Sequence, residues 1–351
     1  MLLSAIYLID EFPHLDYVPW KESIDSVLRI ADEIIVVHGG KRDGEGRRPA
    51  YQYLVDLHDP RIRILEFPWP AIFDWRQIAR SCTYGHLHAR GKWCFRVLAD
   101  EVLPPEFTKI RKELESASRE VKIFSVSRWY LLGNKYACPF HDKLLFLRND
   151  KSVGYGTVNP AQGDGASYLL YDDPMDTDYW FDGSQKTDIR SNSILRDPKG
   201  MDRLLRGETP LGYRGPEVDV YTKTLPFGIL NVDVNFLPDE MLLEQKSLSQ
   251  EGYQRLPLEY PHRQVKTAEQ LAEALLVKIR GMLRRGKLIE VNLPEQLLGF
   301  IDRHDNVQNR VRCLVEREYG LPWNRISKFS SPVRCIQTLA MNGLRRKLHL
   351  M

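Results

Sequence analysis

Four short apolar runs alternate with three segments of helical periodicity between Leu2 and Leu98, and this alternation limits the architecture more than any other feature of the chain. Leu2–Leu8, Glu33–Val37, Arg61–Phe67 and Trp93–Leu98 read as strands. Tyr17–Ile30, Tyr51–Leu57 and Trp75–His88 read as helices, the first with Val18, Ile24, Val27 and Leu28 near helical spacing. Continuous β-branched runs such as Ile34–Val37 suit strands buried on both faces, which is the condition of a parallel sheet. His38-Gly39-Gly40 breaks the second strand, Pro68 and Pro70 end the third, and Gly91 reads as the C-cap of the helix before it. Pro104-Pro105 opens a helix to about Glu115, and Val121–Tyr130 and Lys143–Leu147 complete the sheet. The order β-α-β-α-β-α-β predicts an α/β fold, a mostly parallel sheet with helices on both faces.

Beyond residue 149 the periodic signal weakens. Asn149–Asp188 is rich in Gly, Asp and Tyr and reads as long functional loops or a lid. Helical spacing returns at Thr267 and continues to about Arg285, then over Pro294–Ile301, Val307–Tyr319 and Pro332–Leu350. Composition is ordinary for a globular chain of 351 residues, with 43% hydrophobic and 28% charged residues, which excludes collagen-like or wholly disordered classes. No apolar run approaches the roughly 20 residues of a membrane span. The N-terminus lacks a basic n-region, so no cleaved signal peptide is expected. Five cysteines without a C-x-x-C argue for reduced thiols rather than a disulfide framework or a zinc site. These features together predict a cytoplasmic protein.

The net charge of +3 is unevenly spread. Residues 262–351 hold 17 Lys and Arg against 8 Asp and Glu, leaving 33 against 39 in residues 1–261. A basic tail on a mildly acidic body can face an anionic surface. Arg334, Arg345, Arg346 and Lys347 flank an apolar stripe, so the C-terminal helices are candidates for peripheral contact with the inner face of a membrane. The same pattern also suits helices packed on their own domain with solvated basic faces. Nucleic acid is not an expected partner.

Ligands of open α/β sheets sit outside the carboxyl ends of the strands. Asp10-Glu11, the loop after Val37 and the turn Ala99-Asp100-Glu101 fall there. No P-loop, G-x-G-x-x-G, H-E-x-x-H or G-x-S-x-G is present, which argues against kinase, dehydrogenase, zinc-protease and hydrolase classes.

The order of these motifs resembles that of the family 2 glycosyltransferases, of the bacterial lipopolysaccharide-core and cell-surface glycan branch. Tyr7-Leu8-Ile9-Asp10-Glu11 stands where that family has a strand followed by Asn-Glu. Ala31–Gly40 matches the strand that usually ends Val-Asp-x-Gly-Ser, and Arg42-Asp43-Gly44-Glu45 stands at the Thr-Asp-x-Thr step. Trp75-Arg76-Gln77 lies where the family has Ala-Arg-Asn, Ala89–Trp93 matches Ala-x-Gly-Asp-Trp, and Val97–Glu101 matches Leu-Asp-Ala-Asp-Glu. Asp142–Arg148 is similar to the strand near the acceptor site. His38 stands in place of an Asp that reads the base, and Leu98 in place of the first Asp of D-x-D.

The resemblance implies a GT-A-like nucleotide-sugar-binding and catalytic domain over residues 1–235, followed by a helical, basic region over 236–351. It implies transfer of a sugar from a nucleotide-sugar donor to a saccharide or lipid-linked glycan acceptor, inverting and assisted by Mg²⁺ or Mn²⁺. A divalent ion on the diphosphate stabilises the charge that develops on the leaving group. Asp100, with Glu101 assisting, is the expected metal site; the pair also reads as a polar turn before Pro104. Asp10, Glu11, His38, Asp43 and Arg76 are the expected donor contacts. Inversion needs a base on the acceptor hydroxyl, for which Asp164, Asp142 and His141 are candidates. A binding protein without turnover, and a binding module using the basic helices, are the alternatives.

Overall fold

The computed structural model describes residues 1–11, 15–39, 48–67, 75–132, 136–149, 153–156, 167–170, 178–181, 186–189, 211–212, 222–232 and 289–304. The first part of the chain runs β1 (Leu3–Ile9), α1 (Trp20–Leu28), β2 (Glu33–His38), α2 (Pro49–Asp56), β3 (Ile62–Glu66), α3 (Trp75–His88) and β4 (Trp93–Leu98). β5 (Glu101–Val102) follows at once, then α4 (Ile110–Ser116), β6 (Ile123–Leu132) and β7 (Tyr136–Arg148). Next come β8 (Val153–Gly156), β9 (Ser167–Leu170), β10 (Asp178–Phe181), β11 (Lys186–Ile189), β12 (Leu211–Gly212) and β13 (Thr222–Asn231). β14 (Ile289–Glu290) and α5 (Glu295–Arg303) close the described chain.

The main sheet has the order β3-β2-β1-β4-β7-β6-β13-β5, with β14 added alongside β7. β3, β2, β1 and β4 are parallel, as the alternating pattern predicts. β7 enters antiparallel to both β4 and β6, and β13 then runs parallel to β6. The carboxyl ends of β1, β2, β4, β6 and β13 therefore share one edge. β5 starts three residues after β4 ends yet pairs with β13, so the sheet curls over the turn Ala99-Asp100. The result is a mixed α/β fold of the GT-A-like kind expected from the sequence. β8 and β9 form a separate hairpin, and β10, β11 and β12 a small antiparallel sheet.

Every residue of β1 and β2 is buried. Leu3, Ala5, Tyr7 and Ile9 face Trp20, Ile24 and Val27 of α1 together with Ile110 and Leu114 of α4. Ile6, Leu8, Ile35 and Val37 face the other way, toward Cys82 of α3. The two-sided burial accounts for the unbroken apolar runs. Close docking of α3 depends on Gly85, where a Cβ would fall 2.5 Å from Ile6 Cγ2. Gly91 serves a different purpose from the helix cap expected. α3 already ends at His88, and a Cβ at Gly91 would lie 2.6 Å from the Ser4 backbone nitrogen. Its N–H donates to Ser4 Oγ at 2.8 Å.

A third cluster joins α5 to the curled end of the sheet. Leu297, Phe300 and Ile301 pack with Val102, Leu131, Leu230 and Val232. The helices expected over 267–285, 307–319 and 332–350 lie outside the described residues, and no helix among the described residues is long and apolar enough to cross a membrane.

Candidate functional site

The shared carboxyl edge brings Asp10, Glu11, His38, Asp100 and Glu101 to one side of the sheet, because β1 pairs β2 on one flank and β4 on the other. Asp10 is buried, and its Oδ1 accepts the Glu11 N–H at 2.8 Å. The Glu11 carboxylate reaches across to helix α2. Its Oε2 accepts the Ala50 N–H at 3.2 Å and its Oε1 the Tyr51 N–H at 2.9 Å. Arg48 at the N-cap makes no side-chain cap, so Glu11 supplies the acceptors that the first turn of α2 needs.

His38 ends β2 fully buried, and both ring nitrogens have partners. Nε2 is 3.0 Å from Glu11 Oε1, and Arg48 Nη2 is 3.1 Å from Nδ1. A guanidinium can only donate, so Nδ1 is an acceptor. Nε2 then donates to Glu11 Oε1. Arg48 also pairs with Glu66 at 2.9 Å and lies over the Tyr51 ring, 4.1 Å from its centroid. The chain Glu66–Arg48–His38–Glu11 therefore ties β3, β2 and β1 to the start of α2. In this arrangement His38 and Glu11 join the end of β2 to the start of α2.

The turn after β4 is held by α1 and by β13. Ser23 Oγ of α1 lies 2.5 Å from the Glu101 carbonyl oxygen and 3.2 Å from that of Leu98. Ser26 Oγ of α1 accepts the Leu103 N–H at 3.0 Å. From β13, the Val232 N–H donates to the Asp100 carbonyl at 2.9 Å, and Asn231 Nδ2 donates to Asp100 Oδ2 at 3.0 Å. Beneath the turn, burial holds the Tyr7 phenol well above the ordinary tyrosine range. A hydrogen bond with Ser23 opposes that shift, and the charges of Asp100, Glu22 and Glu101 add to it.

Asp100 and Glu101 differ in kind. Asp100 is half-buried at the edge. Glu101 is fully buried, its Oε2 accepts the Leu98 N–H at 3.0 Å, and its Oε1 is 3.5 Å from Arg128 Nη2. Expected beside Asp100 at a metal, Glu101 instead has a carboxylate directed into its own turn and matched by a cation. Among the described residues no group of three His, Cys, Asp or Glu could hold an ion. Of this pair, Asp100 is the carboxylate that lies at the edge. That fits a hard divalent cation taking its remaining ligands from a diphosphate and water, and does not fit an all-protein cage.

Of the other expected residues, Arg76 lies in the first turn of α3. His141 and Asp142 lie on β7 in register with Arg128 and Ser127 of β6. β4 pairs β7 only from Trp93 to Phe95, opposite Arg148 to Phe146, so His141 and Asp142 fall further along β7 toward the edge that carries Asp100. Asp43 and Asp164 lie outside the described residues. Four residues of this edge carried no motif: Ser23, Arg48, Arg128 and Asn231. Arg48 closes a polar loop and Asn231 ends an apolar run, but neither signal names a partner.

No family model matches this chain. No curated protein matches it either. Among solved structures, it is similar to a mannosyltransferase, PcManGT from Pyrobaculum calidifontis, in complex with GDP-Man and Mn²⁺, at 12% identity and a TM-score of 0.34 over 99% of this chain and 80% of that one. It is similar also to TarS 1–349 of S. aureus at 10% identity and a TM-score of 0.36, over 92% and 93% of the two chains. The complex of TarS 1–349 with UDP-GlcNAc gives 11% identity and a TM-score of 0.34 over the same shares. Likenesses of this size carry no argument about the chemistry of this chain.

Proposed function

We propose that this chain is a glycosyltransferase that moves a sugar from a nucleotide-sugar donor to a saccharide or lipid-linked glycan acceptor. The observation that carries the reading is the Asp100 carboxylate, fixed by Asn231 at the carboxyl edge beside the ends of β1 and β2. Ligands of α/β sheets bind at such an edge. The order of motifs from Tyr7 to Glu101 supports the same reading.

In this reading the nucleoside lies beside Glu11 and His38, and the diphosphate extends toward Asp100. A Mg²⁺ or Mn²⁺ ion held by Asp100, when bound, supplies Lewis-acid stabilisation of the leaving diphosphate. Glu101, Arg128 and Ser23 keep the Asp100 turn rigid, so its carboxylate needs little reorganisation as charge develops. Inverting transfer forms a bond from the acceptor oxygen to the anomeric carbon and breaks that carbon's bond to the diphosphate. The acceptor proton goes to a base, for which Asp142, His141 and Asp164 are the proposed candidates. The basic C-terminal helices would hold the enzyme at the inner face of a membrane when the acceptor is lipid-linked.

Calorimetric titration of UDP, GDP and dTDP, with and without Mn²⁺, tests this on the wild type and Asp100→Ala. Metal-dependent binding of one diphosphate, weakened at least roughly tenfold in the variant, is the expected result. Absence of binding by any of the three to the folded protein with Mn²⁺ present overturns the reading.

A further inference from the structure

Helix α5 touches both of the elements that hold the Asp100 turn. On one side, Leu297, Phe300 and Ile301 pack with Leu230 and Val232, which flank Asn231, and with Val102, which follows Glu101. On the other side, its C-terminal end meets α1 and the single helical turn Leu15–Tyr17 that precedes α1. Arg303 Nη2 is 3.0 Å from Oε1 of Glu22, the residue before the Ser23 whose hydroxyl meets the Glu101 carbonyl. The His304 ring lies 5.2 Å from that of Tyr17 and 4.7 Å from that of Phe300, centroid to centroid. α5 thus bridges α1 and β13, which grip the turn between them.

The two sides of this bridge differ in chemistry. Toward β13 it is apolar and sealed, with Leu297, Phe300 and Ile301 all buried. Toward α1 it rests on an ion pair and a half-buried imidazole. The Arg303 side chain is 62% exposed, so its pair with Glu22 contributes little. His304 adds its ring contact with Tyr17. The charged groups that face the imidazole are Arg303 on its own helix, Glu22 on α1 and Asp16 in the turn, with the Tyr17 phenol beside them. Burial, and then the Arg303 charge, hold the His304 pKa below its ordinary 6.5. A hydrogen bond with the Asp16 main chain and the charges of Glu22 and Asp16 oppose that shift without cancelling it. A proton therefore binds His304 more tightly once the ring has left this place. Acidification below 6.5 favours its leaving.

We infer that α5 is a proton-sensitive strap: with His304 neutral it clamps α1 and β13 around the Asp100 turn, and with His304 charged it loosens from both. The strap is a property of the fold. It goes beyond the nucleotide-sugar reading and does not depend on what the edge binds.

Amide hydrogen exchange of the full chain without nucleotide tests it, on the wild type and His304→Gln. Exchange is read at about pH 7.5 and about pH 5.5 and corrected for its intrinsic pH dependence. In the wild type, protection over Glu295–Arg303 and over Leu230–Val232 is expected to fall by at least roughly fivefold at the lower pH. Val232 reports on the turn directly, since its N–H bonds the Asp100 carbonyl. His304→Gln keeps an uncharged polar side chain in place and is expected to lose most of that response. Unchanged protection in the wild type overturns the inference. So does an equal fall in the wild type and His304→Gln, which assigns the response to another group. A fall over α5 with none over Leu230–Val232 also overturns it, because the strap would then not reach the turn. If His304→Gln does not fold, Arg303→Gln decides. Without the adjacent cation the fall is expected to shrink, and a fall of wild-type size overturns the inference.

Discussion

Buried carboxylates in this chain do opposite kinds of work at the two ends of the sheet. At the amino-terminal end of β2, Glu33 is 1% exposed and accepts hydrogen bonds from Ser4 Oγ at 2.7 Å, Arg63 Nη1 at 2.6 Å, Arg90 Nε at 2.8 Å and the Arg90 N–H at 3.1 Å. Burial alone would raise its pKa. The bonds from Ser4, Arg63 and Arg90 outweigh burial and hold the carboxyl at about 2, from an ordinary 4.5. A folded-state pKa below the unfolded one stabilises the fold above the unfolded pKa. That contribution is lost as pH falls from about 4.5 toward about 2. It amounts to something on the order of 3 kcal/mol. We expect urea unfolding of the wild type to lose stability steeply across that window, and Glu33→Gln to show a flatter acid limb from a lower plateau. At the carboxyl end, Glu11 accepts from the first turn of α2, Glu101 faces Arg128, and Asp100 accepts from Asn231.

Elements meet here through small residues where the backbone comes close. The strand α3 leads into, β4, lies beside β1, and Gly91 sits where the two main chains nearly touch. Gly91→Ala would drive a methyl group against the Ser4 backbone, which has no flexible end to move aside. We expect a loss of about 1–3 kcal/mol in denaturant unfolding. Ser4→Ala would remove only the hydroxyl link to Glu33 and to the Gly91 N–H. The sequence pattern shows β6 at close to its full length, β7 only over Lys143–Leu147, and β13 not at all. The hairpin β8–β9, β10 and most of β11 fall in Asn149–Asp188, the stretch that reads as loops or a lid. These strands are four residues long, too short to carry a periodic pattern of their own. Asp178, the last residue of Asp176-Thr177-Asp178, opens β10.

Across the whole molecule, residues 289–304 return to the body of the fold. β14 pairs β7 through Ile289 and Ala137, and α5 lays Leu297, Phe300 and Ile301 on the curled end of the sheet. Arg303 of α5 also pairs with Glu22 of α1 at 3.0 Å, with the arginine side chain 62% exposed. The two contacts should differ in worth. Leu297→Ala is expected to cost about 2–5 kcal/mol, because its site is sealed and would leave a cavity. Arg303→Ala is expected to cost less than about 1 kcal/mol, as exposed ion pairs do. Chemical denaturation of both variants checks the contrast, and equal losses would show that α5 is held by charge rather than packing.

What could be determined from the sequence alone is the part of the fold whose pattern is local. The runs Leu2–Leu8 and Glu33–Val37 had to be two-sided strands, since an unbroken apolar segment of that length has no solvent face. Their alternation with helices dictated parallel β1 to β4, and parallel strands set Asp10, Glu11, His38 and Asp100 at one edge. How each of these side chains is partnered was decided by tertiary structure. Glu11 and His38 share a proton-donor chain with Arg48, and Glu101 turns toward Arg128, because burial requires each charge and each N–H to find a partner wherever the fold supplies one. Asn231 reached Asp100 only because the sheet curls and brings β13 against β5, a pairing set by packing across the chain and written in no motif.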